Sequence, residues 1–163
     1  MRRRETRGQR EPGRPGFVRL RRQGCCVALT HLADTSVLTR LKAAPVRQVL
    51  GELLSQRRVG RCGMSDLELG FSARNADEWD QINRAVRLFQ QVTVQPEDYT
   101  RASGVQRALA EHGLKGRKVP DLLIAAVAER HALTVLHYDR DFELIADMTG
   151  QQHQWVVPRG TID

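Results

Sequence analysis

The chain is 163 residues long, enough for a single domain that buries most of its core. Its 26 Lys and Arg outnumber 19 Asp and Glu, a net charge of +7, but nine arginines against Glu5 and Glu11 put that whole excess in residues 1–26. Residues 27–163 hold 17 basic and 17 acidic residues, so composition argues for a basic tail rather than a basic, nucleic-acid-coating fold. Cys25, Cys26 and Cys62 form neither a metal spacing nor an even disulfide set, which fits a reducing cytoplasm. No 18-residue apolar run exists, so no membrane span is expected. Thr30 and His31 interrupt the short run after Arg21-Arg22, leaving too little for a secretory h-region.

In chain order, Met1–Gly24 has Arg, Gly and Pro but little to bury, and disorder is expected. Val27–Ala33 reads as a buried strand ending at Asp34-Thr35-Ser36, an N-cap arrangement before Val37, Leu38 and Leu41. Pro45–Arg58 is an amphipathic helix with Val46, Val49, Leu50, Leu53 and Leu54 at helical spacing, and Val59–Cys62 a short strand. Met64–Arg74 reads as a helix that starts at Ser65-Asp66, with Ser65 and Glu68 as a capping box. Asp77–Gln91 is amphipathic through Trp79, Ile82, Val86 and Phe89; Val92–Val94 is a third strand and Pro96–His112 another helix.

Gly113–Lys118 is a basic loop that leads into the stretch on which the rest depends, Val119–Ala146. Pro120-Asp121 opens it, Leu122–Ala128 are all apolar, and Glu129-Arg130-His131 close it, the pattern of a helix buried on every face. Leu133–His137 is a strand that ends in Tyr138-Asp139-Arg140-Asp141; Phe142–Met148 is helical and Trp155–Val157 a last strand. Strands alternating with helices over this length predict a parallel, three-layer α/β sheet.

Four acids stand out by position: Asp34 and Asp139 at strand ends, Asp121 at the buried helix start, and Glu68 in the helix after the second strand. Singly, each has a structural explanation as a cap or a dipole partner. Together they differ, because a parallel sheet brings the C-terminal ends of its central strands to one edge. Carboxylates gathered there without matching cations repel, and a divalent metal is the common resolution. Oxygen donors select Mg²⁺ or Mn²⁺ over zinc. His31, His112, His131, His137 and His153 are scattered, and His137 is expected to pack. No nucleophile elbow, Cys/His arrangement or Gly-rich phosphate loop competes. The residues thus imply metal-dependent phosphoryl chemistry, with no substrate specified.

As a set, Asp34-Thr35-Ser36 after a hydrophobic strand, Leu67-Glu68-Leu69-Gly70, Asp121-x-x-Ile124-Ala125-Ala126 and Asp139-Arg140-Asp141-Phe142 resemble the PIN-domain ribonucleases, and among them the VapC-type toxins of toxin–antitoxin pairs. The resemblance covers about residues 27–163 and implies a PIN-like α/β/α fold with a short central parallel sheet. It implies that Asp34, Glu68, Asp121 and Asp139 form the acid set, with Asp141 a further ligand and Thr35 or Ser36 a supporting hydroxyl. It also implies Mg²⁺- or Mn²⁺-dependent endonucleolytic cleavage of RNA, inhibition by a small VapB-like antitoxin, and a homodimer. Cations expected to grip RNA are Arg40, Arg74 near Glu68, and Arg117 with Lys118.

Two features depart from the family pattern. His137 stands where many relatives carry Thr or Ser, and the arginine-rich tail precedes the usual start, for which Val27 would serve. Two rivals have other roles. A receiver-like signalling domain would want an acid pair after the first strand, where Thr35 follows Asp34. A catalytically inactive PIN-like binding module would not need all four acids.

Overall fold

The computed structural model describes residues 28–114 and 117–162; the expected tail, its alternative start at Val27 and the middle of the basic loop lie outside them. The strands are β1 (His31–Ala33), β2 (Val59–Cys62), β3 (Gln90–Val92), β4 (Thr134–His137) and β5 (His153–Trp155). The helices are α1 (Thr35–Leu38), α2 (Ala44–Ser55), α3 (Gly63–Phe71), α4 (Ala76–Val86), α5 (Pro96–Glu111), α6 (Val119–Arg130) and α7 (Asp141–Thr149).

All five strands are parallel, in the order β3-β2-β1-β4-β5. The chain builds outward from β1 through β2 to β3, then crosses back and builds through β4 to β5. The order therefore reverses between β1 and β4, the place where open α/β sheets form their crevice. Register puts Ala33 opposite Leu136, so both strands end at one level. This order also differs from the 2-1-3-4-5 arrangement of receiver-like folds, which removes that rival.

Alternation along the strands feeds two cores. Leu32 and Val135 pack with α5, α6 and α7, while Ala33 and Leu136 pack with α1, α2 and α4. The predicted three layers follow. As its composition predicts, α6 is buried at every residue from Asp121 to Ala128. Each fully buried aliphatic side chain there contributes about 1.5–3 kcal/mol relative to exposure. α7 stops at Gly150, whose φ of 75° places it in the left-handed region, its N–H bonded to Ala146 O at 2.8 Å. Among the described residues no helix is long and apolar enough to cross a membrane.

Several expectations need correction. β3 and β5 each lie two residues before the predicted span, at Gln90–Val92 and His153–Trp155. Ala28–Thr30 are not strand. α3 begins at Gly63, capped by no side chain, so Ser65 and Glu68 form no capping box. Ser65 instead points inward, fully buried, toward Ala33 O, because the turn out of β2 is too tight to leave it outside the helix.

Candidate active site

The turn after β1 is closed by Asp34, which caps α1 by accepting Ser36 N–H on Oδ2 at 2.8 Å. The turn after β4 carries Asp139, whose Oδ1 accepts Asp141 N–H at 3.1 Å. Ser36 joins the two turns, its Oγ accepting Tyr138 N–H at 2.9 Å. Asp121 enters from the first turn of α6 and Glu68 from α3, where Thr35 donates to its Oε2 at 2.6 Å. All four acids line one cavity of about 230 Å³, together with Thr35, Ser36, Thr39, Arg40, Lys118 and Tyr138.

Electrostatics separate these acids. Burial pushes the Asp34 carboxyl above its usual range, against hydrogen bonds at Ser36 that favour charge. Burial, with repulsion from Asp34, drives Asp121 up to about 8. Burial also raises Glu68, opposed by the Thr35 hydroxyl. Asp139 moves the other way: burial is outweighed by the Lys118 ammonium, 2.6 Å from Oδ2, and it sits below the usual range. Among the described residues Asp34 Oδ1 and Asp121 Oδ2 are buried with no hydrogen-bond partner. Such oxygens are costly unless something compensates them.

Not every expected residue converges. Asp141 does not line the cavity and is engaged by Arg117, so both are committed to each other. The acids are thus less bare of cations than their spacing suggests, since Lys118 also holds Asp139. Arg74 is exposed and grips Glu78 across the start of α4, away from the cavity; a short step in sequence from Glu68 is not a short step around a helix end.

His137 is fully buried in β4. Its Nδ1 accepts Asp139 N–H at 3.2 Å, which fixes Nε2 as the protonated nitrogen, donating to His153 Nδ1 at 2.9 Å. Burial, with His153 beside it, lowers its pKa to about 4, so it stays neutral. The imidazole thus holds the Asp139 N–H from the position where many relatives carry Thr or Ser. Sequence reading missed this pair because His153 lies on an edge strand without a periodic signal. It also missed Thr39, one turn after Thr35, and Tyr138, whose neighbour Asp139 drew the attention.

Do the residues fit a metal? Among the described residues no group of three or more acids, histidines or cysteines stands close enough together to hold a metal ion by itself. Two orphaned carboxylate oxygens with further acids at the rim instead suit a hard ion that keeps several of its waters, as Mg²⁺ does.

The parallel sheet with its acids at the β1/β4 switch point defines the class, and a family model described as "PIN domain" matches residues 32–148. The chain belongs to the PIN-domain family, in its VapC group. Ribonuclease VapC51 of Mycobacterium tuberculosis (strain ATCC 25618 / H37Rv) is 49% identical over 137 residues, covering 84% of this chain and 100% of its own. Ribonuclease VapC21 of Mycobacterium tuberculosis (strain CDC 1551 / Oshkosh) is 40% identical over 133 residues, covering 80% and 96%. Among solved structures, VapBC2 from Rickettsia felis, bound to a DNA fragment from its promoter, superposes with a TM-score of 0.66 at 13% identity. It covers 78% of this chain and 99% of the solved one, and at that identity supports the fold alone.

Proposed function

We propose that the chain is a metal-dependent endoribonuclease, a VapC-type toxin that hydrolyses RNA phosphodiester bonds in the cytoplasm and is restrained by a small VapB-like antitoxin. The ribonuclease names of its relatives support the activity, and their VapC group, the toxins of toxin–antitoxin pairs, supports the partner. The observation that carries the chemistry is the pair of buried, unpartnered oxygens on Asp34 and Asp121, on residues lining one cavity with Glu68 and Asp139.

In this reading Asp34, Asp121, Asp139 and Glu68 hold Mg²⁺, or Mn²⁺ in its place. When bound, the ion activates water and stabilises the leaving oxygen. Thr35 aims Glu68 through its hydroxyl, and Ser36 locks the Asp34 turn to the Asp139 turn. His137 holds the Asp139 backbone from behind. Residues 27–163 form the nuclease domain, and the chain acts as a homodimer. Leu67 and Phe71, exposed one turn apart on α3, are apolar surface that a second copy would cover.

Titrating Mg²⁺ or Mn²⁺ into EDTA-treated protein, while following cleavage of a labelled single-stranded RNA, tests the reading. Cleavage should need the ion and stop on addition of antitoxin. A folded protein that cuts no RNA at any metal concentration would overturn it.

A further inference from the structure

An RNA strand that reaches this cavity brings one negative charge per nucleotide toward four carboxylates. Among the described residues two cations line the cavity wall, Arg40 and Lys118. Lys118 is committed to Asp139. Arg40 has no carboxylate partner among the described residues: Nη1 donates to Ser36 O at 2.9 Å, and buried Nε has no acceptor. Its guanidinium lies over the Tyr138 ring, 5.1 Å from the centroid. A charge held this way, with donors to spare, is oriented for something that the described residues do not supply.

The mounting is built from both active-site turns. Ser36, on the Asp34 side, gives the anchoring carbonyl; Tyr138, beside Asp139, gives the ring face. The ring is fixed in turn. Trp155 packs edge-on against it at 5.3 Å. The Tyr138 hydroxyl donates to Ile162 O at 2.7 Å and accepts the N–H groups of Gly160 and Ile162 at 3.0 and 3.2 Å. The C-terminal segment thus clamps the ring that carries the guanidinium.

We propose that Arg40 binds a backbone phosphate of the RNA at the mouth of the cavity, and that residues 158–162 act through Tyr138 to hold it there. The assignment rests on the ribonuclease reading and deepens it. A planar fork with unused N–H groups matches phosphate oxygens in pairs, which a lysine cannot do. With one face on Tyr138, its remaining donors are directed by the ring plane rather than free to turn.

The test measures affinity for a labelled single-stranded RNA in EDTA over a range of NaCl, and KM with kcat in Mg²⁺. Arg40→Gln should weaken binding about tenfold and flatten the salt slope by roughly 0.7, one single-strand phosphate contact. Arg40→Lys should keep the slope yet bind about threefold more weakly than wild type, since the charge remains and the fork is gone. Tyr138→Phe keeps the ring and cuts its three bonds to the C-terminal segment, so KM should rise two- to threefold, by order of magnitude, with kcat unchanged. Circular dichroism checks that each variant folds. Arg40→Gln with wild-type affinity and slope overturns the assignment while cleavage stands. A change in base preference at constant slope overturns it in favour of base stacking on the guanidinium. Wild-type protein that neither binds nor cuts RNA overturns the ribonuclease reading with it.

Discussion

Two buried aspartates on neighbouring helices, Asp98 of α5 and Asp121 of α6, have opposite surroundings. Both are almost wholly buried, 1% and 3% exposed. Asp98 is met by Arg130 Nε at 2.7 Å and Nη2 at 2.9 Å, and by Gln95 N–H at 2.7 Å in a capping box. Burial pushes its pKa up, but these partners outweigh it and the carboxyl sits below the usual range. Asp121 has no such partner on Oδ2 among the described residues, and burial with Asp34 nearby raises it to about 8. The residue type and exposure are alike, but Asp121 is the more strongly desolvated and the fold supplies a hydrogen-bonded counter-charge to Asp98 alone. A compensated carboxylate ties α5 to α6. An uncompensated one costs stability, and it sits where a ligand would complete it.

The sharpest way to break the comparison is to neutralise each side. Asp34→Asn, Asp121→Asn and Asp139→Asn should each cut RNA cleavage about a thousandfold, because a charged ligand becomes a neutral near-isostere. In EDTA, Asp34→Asn and Asp121→Asn should melt higher than wild type, as desolvated charge and repulsion are relieved. Asp98→Asn should do the reverse, losing about 2 kcal/mol of stability with its charged hydrogen bonds while folded molecules keep full activity. Retained cleavage in Asp121→Asn would end the metal assignment for that residue. Asp147→Asn, on an exposed turn of α7, should change neither property.

The next effect is in pH. The folded pKa of Asp121, about 8, lies above its ordinary 3.8, so the folded state keeps a proton the unfolded chain has lost. Its stabilisation is full below about pH 4 and is lost as pH rises through 8. His137 opposes this at the acid end: burial takes it from 6.5 to about 4, so its contribution falls away as pH drops below 6.5. The clean window is therefore pH 6.5 to 8. There the EDTA-treated protein should lose roughly 1–2 kcal/mol with rising pH, and Asp121→Asn should lose far less. Thermal melts across that range decide; equal slopes in the two proteins would mean that Asp121 does not carry the proton.

A smaller effect is expected at Thr35. Thr35→Val removes the hydroxyl that donates to Glu68 Oε2 but keeps the shape. Outer partners of metal ligands are commonly worth ten- to a hundredfold in affinity, and the low end, about tenfold, suits a part-exposed pair. Isothermal titration with Mn²⁺ measures it directly. Unchanged affinity would leave Glu68 outside the ligand set.

How legible was all this in the sequence? The interior was readable because burial and pairing coincide there. β2, β4 and α6 fell where apolar runs put them, and Asp139 after β4, Asp121 at the start of α6 and Glu68 in the helix after β2 came to one cavity with Asp34 in consequence. Both edge strands were misplaced by two residues for one reason. β3 pairs through Gln90, Gln91 and Val92 and β5 through His153, Gln154 and Trp155, while Val94, Val156 and Val157, which suggested strands further on, pack into the two cores just past the ladders. At an edge, hydrogen bonding and burial part company, and sequence reports only burial. The capping box at Ser65 failed similarly, since its spacing is met by a serine that the fold turns inward. Contacts between residues distant in sequence, such as Ser36 with Tyr138 and His137 with His153, leave no local pattern to read.

The smallest expected effect is at Arg74, and it separates proximity in sequence from proximity in space. From its place six residues after Glu68, Arg74 was expected to help grip RNA. In the fold its guanidinium and its own N–H both serve Glu78, at 3.0 Å and 2.8 Å, across the cap of α4, and its side chain is 84% exposed. An exposed pair of this kind contributes little and is screened by salt. Asn75 already caps α4 through Glu78 N–H, so the helix start does not depend on the arginine. Arg74→Ala should therefore leave RNA affinity, its salt slope and the melting temperature at wild-type values, where Arg40→Gln lowers the first two. A slope that flattens equally in both variants would mean that the strand runs out of the cavity along α3 toward α4, and that the grip on RNA is spread over that surface instead of held at the cavity mouth.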